Sequence, residues 1–196
     1  MDDNPTQHIA NSPGSTAHKP KNSASFSFRN RIERALFRFV WFVAASWTPP
    51  PLHNWRCFIL RKFGATIGKD VRLYSSAIIW HPANLYISDN VTVGPRVRLY
   101  NQGDISIQSD VVISQGAHIC ASTHRINDPN FELILRPIKI ARLTWIAAEA
   151  FVGPGVQTGE GSVLGARAVA FENLDPWGVY RGNPAKLIKR RLEVNK

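Results

Sequence analysis

The sequence is poor in cysteine, with two in 196 residues, Cys57 and Cys120. That rules out a disulfide framework. Neither a CxxC pair nor a Cys/His spacing of the zinc type can be built from them, so no metal is expected and a reducing compartment is the simpler setting. Acidic residues are also scarce: 14 Asp and Glu stand against 24 Lys and Arg, a net charge of +10. Such a balance favours anionic partners, which means phosphate groups, an acidic membrane surface or nucleic acid. No nucleic-acid motif accompanies it, so nucleic acid is set aside. A long apolar run is missing as well. The densest stretch, Leu36 to Trp47, is interrupted by Arg38 and falls short of the roughly 20 apolar residues that a bilayer span needs. It lies too far from the start, behind roughly 30 mostly polar residues, to be a secretory leader.

What is present divides the chain. Residues 1–25 are rich in Asn, Ser, Pro, Thr, His and Lys and read as a disordered tail, with no role for His8 or His18. Residues 26–64 read as helical. Phe28, Ile32, Ala35, Leu36, Phe39, Val40 and Val43 recur at helical spacing with arginines mostly between them. This helix either packs on the domain or a neighbouring subunit, or lies on the inner membrane face with its arginines toward anionic lipid. The run Thr48–Pro51 ends it, and a second short helix follows, stopped at Gly64.

From Ile67 onward the chain falls into sixes: "IGKDVR", "LYSSAI", "IWHPAN", then "ISDNVT", "VGPRVR", and so on to "AFENLD". The first position is nearly always Ile, Leu or Val, the second is often Gly, Ala or Ser, and the fifth is often Val or Ala. A period of six is neither helical nor a plain alternation. It predicts a short strand and a tight turn per hexad, with the first residue pointing inward. Blocks of three hexads start at Ile67, Ile87, Ile107, Ile140 and Thr158, at intervals of 20, 20, 33 and 18. Three hexads therefore make one turn of a triangular coil, and the insertions fall at one corner. Leu85–Tyr86 and Ile105–Ser106 are small insertions and Arg125–Lys139 is a large one. His124 is expected as the last residue of its coil, at the mouth of that loop, and long excursions from compact repeats are usually functional. The expected β-helix covers 65–175, with the loop at 125–139 and a C-terminal turn and basic helix over 176–196.

With these motifs in view, the chain from about Trp41 to Arg191 resembles the hexapeptide-repeat acetyltransferases. Within them it looks most like the colanic-acid-biosynthesis type, close to the galactoside, maltose and nodulation O-acetyltransferases. The marks are "LHNWRCFILRKFGATIG", "SQGAHICASTHRINDPNF", "WIAAEAFVGPGV" and "PWGVYRGNPAKLIKRR". The resemblance implies an all-β fold, a left-handed parallel β-helix. It also implies a homotrimer, with acetyl-CoA in a cleft between adjacent β-helices, and a cytoplasmic enzyme.

The family's catalytic histidine falls on His124. A sugar hydroxyl is far too weak an acid to attack a thioester unaided at neutral pH. A neutral imidazole can take its proton and return it to the leaving thiolate. No Ser/His/Asp triad is readable, so direct transfer is expected. Asn101 matches a polar position that the family uses for its acceptor, or else it is a corner residue of the solenoid. Asp104 lies 20 residues before His124 and is a second acceptor-side candidate, placed to orient the imidazole. Asp128 reads as a turn former before Pro129. On the cofactor side the resemblance assigns Trp145 to the pantetheine arm and backbone groups of Ala147, Ala148 and Ala166 to the same ligand. Lys189 and Arg190 can meet the CoA phosphates. Relatives often carry Thr-Lys-Asp near those phosphates where this chain has Phe171–Asn173. Glu172 thus stands in place of a lysine, and the charge role passes to Arg167, Arg181 or the C-terminal cluster. His81 and His118 raise a zinc site of the γ-carbonic-anhydrase type, which the spacing does not match.

The expected function is transfer of acetyl from acetyl-CoA to a hydroxyl of a sugar or lipid-linked glycan in exopolysaccharide or other glycan biosynthesis. A non-catalytic trimeric scaffold or glycan-binding protein is the alternative.

Overall fold

The computed structural model describes residues 26–193, so the expected tail at 1–25 lies outside the described residues. The hexads build a three-sided parallel β-helix. One face stacks Thr66–Ile67, Leu85–Ile87, Ile105–Ile107 and Ile138–Ile140. The second stacks Arg72–Leu73, Thr92–Val93, Val112–Ile113, Trp145–Ile146, Val163–Leu164 and Gly178–Arg181. The third stacks Ile78–Ile79, Arg98–Tyr100, His118–Cys120, Phe151–Val152 and Val169–Ala170.

Strand registers align the first hexad positions into columns. Ile67, Ile87, Ile107 and Ile140 form one, and Leu73, Val93, Ile113, Ile146 and Leu164 another. Ile79, Leu99, Ile119, Val152 and Ala170 form the third. All are buried. The inward side of each strand stacks on its copies above and below, so the one core is built from three ladders of like side chains. The fifth positions (Val71, Val91, Val97, Val111, Ala117, Ala150 and Ala168 among them) are also buried and fill the corners.

The fourth position carries a constraint that hydropathy does not reveal. Asp70, Asn90, Arg96, Asp110, Leu143, Glu149 and Arg167 all have φ between 53° and 61° there, and Gly116, Gly155 and Gly161 share the left-handed conformation. Each turn must reverse within two residues, which needs positive φ, and Asn, Asp and Gly tolerate it best.

The expected helices form as α1, Phe28–Ala44, capped by the Ser27 side chain, and α2, His53–Lys62. Gly64 follows α2 with φ +93°. Together they close the open lower end of the solenoid. Cys57 and Leu60 of α2 and Phe37 of α1 join the hydrophobic core. Arg56 is fully buried. Its Nε donates to Leu73 O (2.6 Å), Nη1 to Thr48 Oγ1 (2.8 Å) and Pro49 O (3.0 Å), and Nη2 to Pro50 O (2.6 Å). One guanidinium thus ties the proline-rich linker to the first coil.

Two expectations are corrected. The chain after 176 is not a basic helix. Gly178–Arg181 joins the second face, and Lys186–Arg190 folds back antiparallel on it. The last coil ends in an unpaired strand edge, and pairing with that edge outweighs local helix propensity. The charged edge strand then discourages further pairing. The large insertion is also more than a loop. Ser122–His124 and Leu133–Leu135 pair as an antiparallel hairpin, and the solenoid resumes at Ile138, inside the expected loop.

Candidate active site

His124 ends the first strand of this hairpin, opposite Leu133. The hairpin tip is a compact turn. Asp128 Oδ1 accepts from Asn130 N at 2.8 Å and Asp128 O accepts from Phe131 N at 2.9 Å, which supports the turn role read for Asp128. Phe131 sits at φ +49°. That turns its ring onto the His124 ring, with centroids 4.4 Å apart and planes 13° from parallel. It also brings the Phe131 carbonyl 2.8 Å from His124 Nδ1. A carbonyl only accepts, so Nδ1 carries a proton, and in the neutral imidazole Nε2 is the nitrogen with the lone pair.

His124 lines a cavity of about 500 Å3 together with Tyr100, Gln102, Cys120, Ser122 and, from α1, Arg31 and Arg34. Gln102 was not singled out by sequence reasoning. Its Nε2 donates to Tyr100 Oη at 3.0 Å, while its buried Oε1 has no hydrogen-bond partner. Gln102 adjoins the candidate that was named, and the bend at the coil corner after Tyr100 decides which of the two faces the cavity.

The acceptor-side candidates fall elsewhere. Asn101 is completely buried. Its Oδ1 accepts from Trp80 N (3.0 Å) and His81 N (3.2 Å), and its Nδ2 donates to His81 O. Every polar atom of that amide is occupied in stapling one coil to the next, so it is the corner residue rather than a cavity wall. Asp104 is exposed and does not orient the imidazole. The hairpin lifts His124 out of the stack, the Asp104 carbonyl pairs with Ile138 N at 2.9 Å instead, and Phe131 holds the ring. His81 approaches Glu33 (3.5 Å), and His118 packs between the Tyr100 and Phe151 rings. Burial, with Arg98 nearby, holds the His118 imidazole below its usual pKa. Among the described residues no three His, Cys, Asp or Glu side chains gather to hold a metal.

A second cavity, about 710 Å3, opens on the second face. It gathers Trp145, Ala147, Ala148, Ala166 and Lys189, all named from the sequence, together with Arg181. Trp145 Nε1 donates to Ser114 Oγ at 2.9 Å, which fixes the indole at the rim. The floor is made of small residues. At Gly165 an added Cβ would stand 2.9 Å from Tyr180 O, so the floor cannot rise there without displacing backbone. A narrow apolar trough with cations at one end suits a pantetheine arm and its phosphates.

Arg190 is not brought there. Its Nη1 donates to Pro176 O (2.9 Å) and its Nη2 lies 3.5 Å from Asp175. Lys189 and Arg190 alternate across a strand, so only one of them can face the trough. Arg167 pairs with Glu149 at 2.6 Å and Glu172 does not line the trough, so Arg181, Lys189 and Arg191 hold the charge there. No residue lines both cavities.

No family model matches the chain. It is 40% identical over 165 residues to the Escherichia coli (strain K12) protein named "Putative colanic acid biosynthesis acetyltransferase WcaF", a match covering 84% of this chain and 91% of that one. The fold matches the maltose O-acetyltransferase of Clostridium difficile 630 at TM-score 0.76 and 22% identity, over 85% of this chain and 90% of that one. It matches a galactoside acetyltransferase in complex with coenzyme A, also at TM-score 0.76, with 19% identity over 85% and 84%. The stacked hexads, the hairpin histidine and this likeness over most of both chains lead to one conclusion: the chain belongs to the hexapeptide-repeat family of left-handed β-helix, acetyl-CoA-dependent acetyltransferases.

Proposed function

We propose that the chain is an O-acetyltransferase that acetylates a sugar hydroxyl in exopolysaccharide or other glycan biosynthesis, with His124 as general base. The observation that carries this reading is the Nδ1–Phe131 hydrogen bond. It leaves Nε2 as the proton acceptor on a ring that lines a cavity large enough for a sugar. The acceptor hydroxyl gives its proton to Nε2 as its oxygen bonds to the thioester carbonyl carbon. The C–S bond then breaks, and Nε2–H returns the proton to the thiolate of coenzyme A. The Phe131 carbonyl stabilises the transient imidazolium, and the stacked Phe131 ring holds its plane. The test is thiol release from acetyl-CoA with a panel of nucleotide sugars and simple glycosides. Release driven by at least one sugar is the expected result. Failure of coenzyme A to bind at millimolar concentration would return the chain to the scaffold reading.

The His124 cavity and the Trp145 trough share no residue within one chain. In a homotrimer each complete site joins His124 of one copy to the trough of the next. This gives a distinctive expectation. Ala166→Trp fills the trough and His124→Ala removes the base, so each homotrimer is inactive. Co-expressed, they should recover roughly a quarter of wild-type activity, because one site in four pairs two intact halves. Zero recovery would place both halves of the site in one subunit.

Support for a membrane-proximal acceptor comes from α1. Phe37 faces the core, but Phe28, Ile32, Leu36, Phe39, Phe42 and Val43 on the other side are each more than half exposed. Arg29, Arg31 and Arg38 flank this stripe, an arrangement suited to lying in an anionic interface. No helix among the described residues is long and apolar enough to cross a membrane. The enzyme would act at the cytoplasmic face of the inner membrane on a lipid-linked glycan. Flotation with phosphatidylglycerol-containing vesicles should recover the protein, and Phe39→Glu with Phe42→Glu should abolish recovery. Equal flotation with neutral vesicles would argue against the role given to the arginines.

A further inference from the structure

Arg31 and Arg34 stand one helical turn apart on α1 and both line the cavity that holds His124. Arg34 is held in place. Its guanidinium lies over the Trp80 ring, 4.1 Å from the centroid, and its Nε donates to Asn30 Oδ1 at 2.9 Å. The Arg31 side chain makes no hydrogen bond or ion pair with a described residue. Among the described residues no carboxylate pairs with either one. Glu33, the acidic residue on this helix, is taken by Arg29 (2.8 Å) and His81 (3.5 Å), and Glu132 of the hairpin faces Arg125 (3.5 Å). Burial and the like charges of Arg38 and Arg31 push the Arg34 pKa down, as expected for cations crowded without a counterion. Two guanidinium groups that line the His124 cavity without a carboxylate partner are free to pair with an anionic group of the substrate. The remaining wall offers the complementary group for a sugar, since Gln102 Oε1 is buried, without a partner and able to accept from a hydroxyl.

We propose that Arg31 and Arg34 form an anion subsite that selects acceptors carrying a phosphate or diphosphate, placing the sugar hydroxyl between Gln102 and His124. This rests on the reading of the His124 cavity as the acceptor site. It makes α1 a specificity element as well as part of the cap on the solenoid. An apolar groove adjoins the cavity and shares Tyr100 and Cys120 with it. Its walls include Phe37, Trp41, Ile78 and Leu99. The diphosphate therefore has two possible carriers, a nucleoside or a polyprenyl chain, and the groove suits the chain.

The test measures binding, which does not require turnover. Calorimetry would use the full-length protein saturated with coenzyme A, so that the trough cations are occupied. The probes are inorganic pyrophosphate, UDP and geranyl diphosphate. The expected result is binding of all three, geranyl diphosphate tightest, with affinity falling about tenfold in Arg31→Gln and about a hundredfold in the Arg31→Gln, Arg34→Gln double variant. A preference for UDP keeps the subsite and assigns its diphosphate to a nucleotide sugar. Unchanged binding in Arg31→Gln, which removes no internal contact, overturns the proposal, and so does no binding of any probe. Thiol release with His124→Ala is read separately. If that variant is inactive while Arg31→Gln binds normally, the anion subsite fails and the acetyltransferase reading stands. The reverse pattern separates them the other way.

Discussion

Replacing His124 with alanine should lower sugar-dependent thiol release by 10²–10⁴-fold, the usual worth of a positioned general base. The ring is exposed and stands on a surface hairpin, so its loss should leave the melting temperature nearly unchanged. The His124 cavity shares no residue with the Trp145 trough, so coenzyme A affinity should also hold. Phe131→Ala gives a graded companion. It keeps the backbone carbonyl but removes the stacked ring, so the imidazole stays hydrogen-bonded but is less confined. A loss of roughly tenfold is expected, an intermediate value that a base needing only proximity would not show. Full activity in His124→Ala would remove the proposed mechanism.

The largest effect on stability is expected at Arg56. Methionine there should cost about 3–5 kcal/mol. For a chain of this size that lowers the melting temperature by roughly 10 °C. A buried charge can often be replaced by an apolar side chain without loss, provided that its partner leaves too. Here the partners are the carbonyls of Leu73, Pro49 and Pro50, which no side-chain substitution removes. Lysine should rescue little, because one ammonium cannot span acceptors arranged for a planar fork. Denaturant midpoints of the two variants would check this. A change under about 1 kcal/mol would show that water satisfies those carbonyls as well as the arginine does.

The solenoid was legible because its information is local and repeated. Every hexad writes one inward residue, one turn and one corner filler, and the registers carry Ile67, Ile87, Ile107 and Ile140 into one column as the intervals require. Resemblance to the family also located Trp145, Ala147, Ala148, Ala166 and Lys189, which do line one trough. Sequence spacing failed where the repeat is interrupted. Asp104 stands one coil from His124 by count, yet the hairpin removes His124 from the stack and gives its ring to Phe131. Asn101 and Gln102 are neighbours in sequence, but one points into the corner and the other lines the cavity.

By itself, then, the sequence determined the coil, its period, the site of its one large excursion and the histidine there. Each follows from side-chain pattern along a few residues. Only the tertiary structure decided that the C-terminal basic segment is a strand, that Arg56 pins the linker and that Arg31 and Arg34 share a cavity with His124. Those outcomes depend on which backbone edges and carbonyls remain unsatisfied once the coils have stacked, and that is a property of the assembled solenoid which no local pattern records.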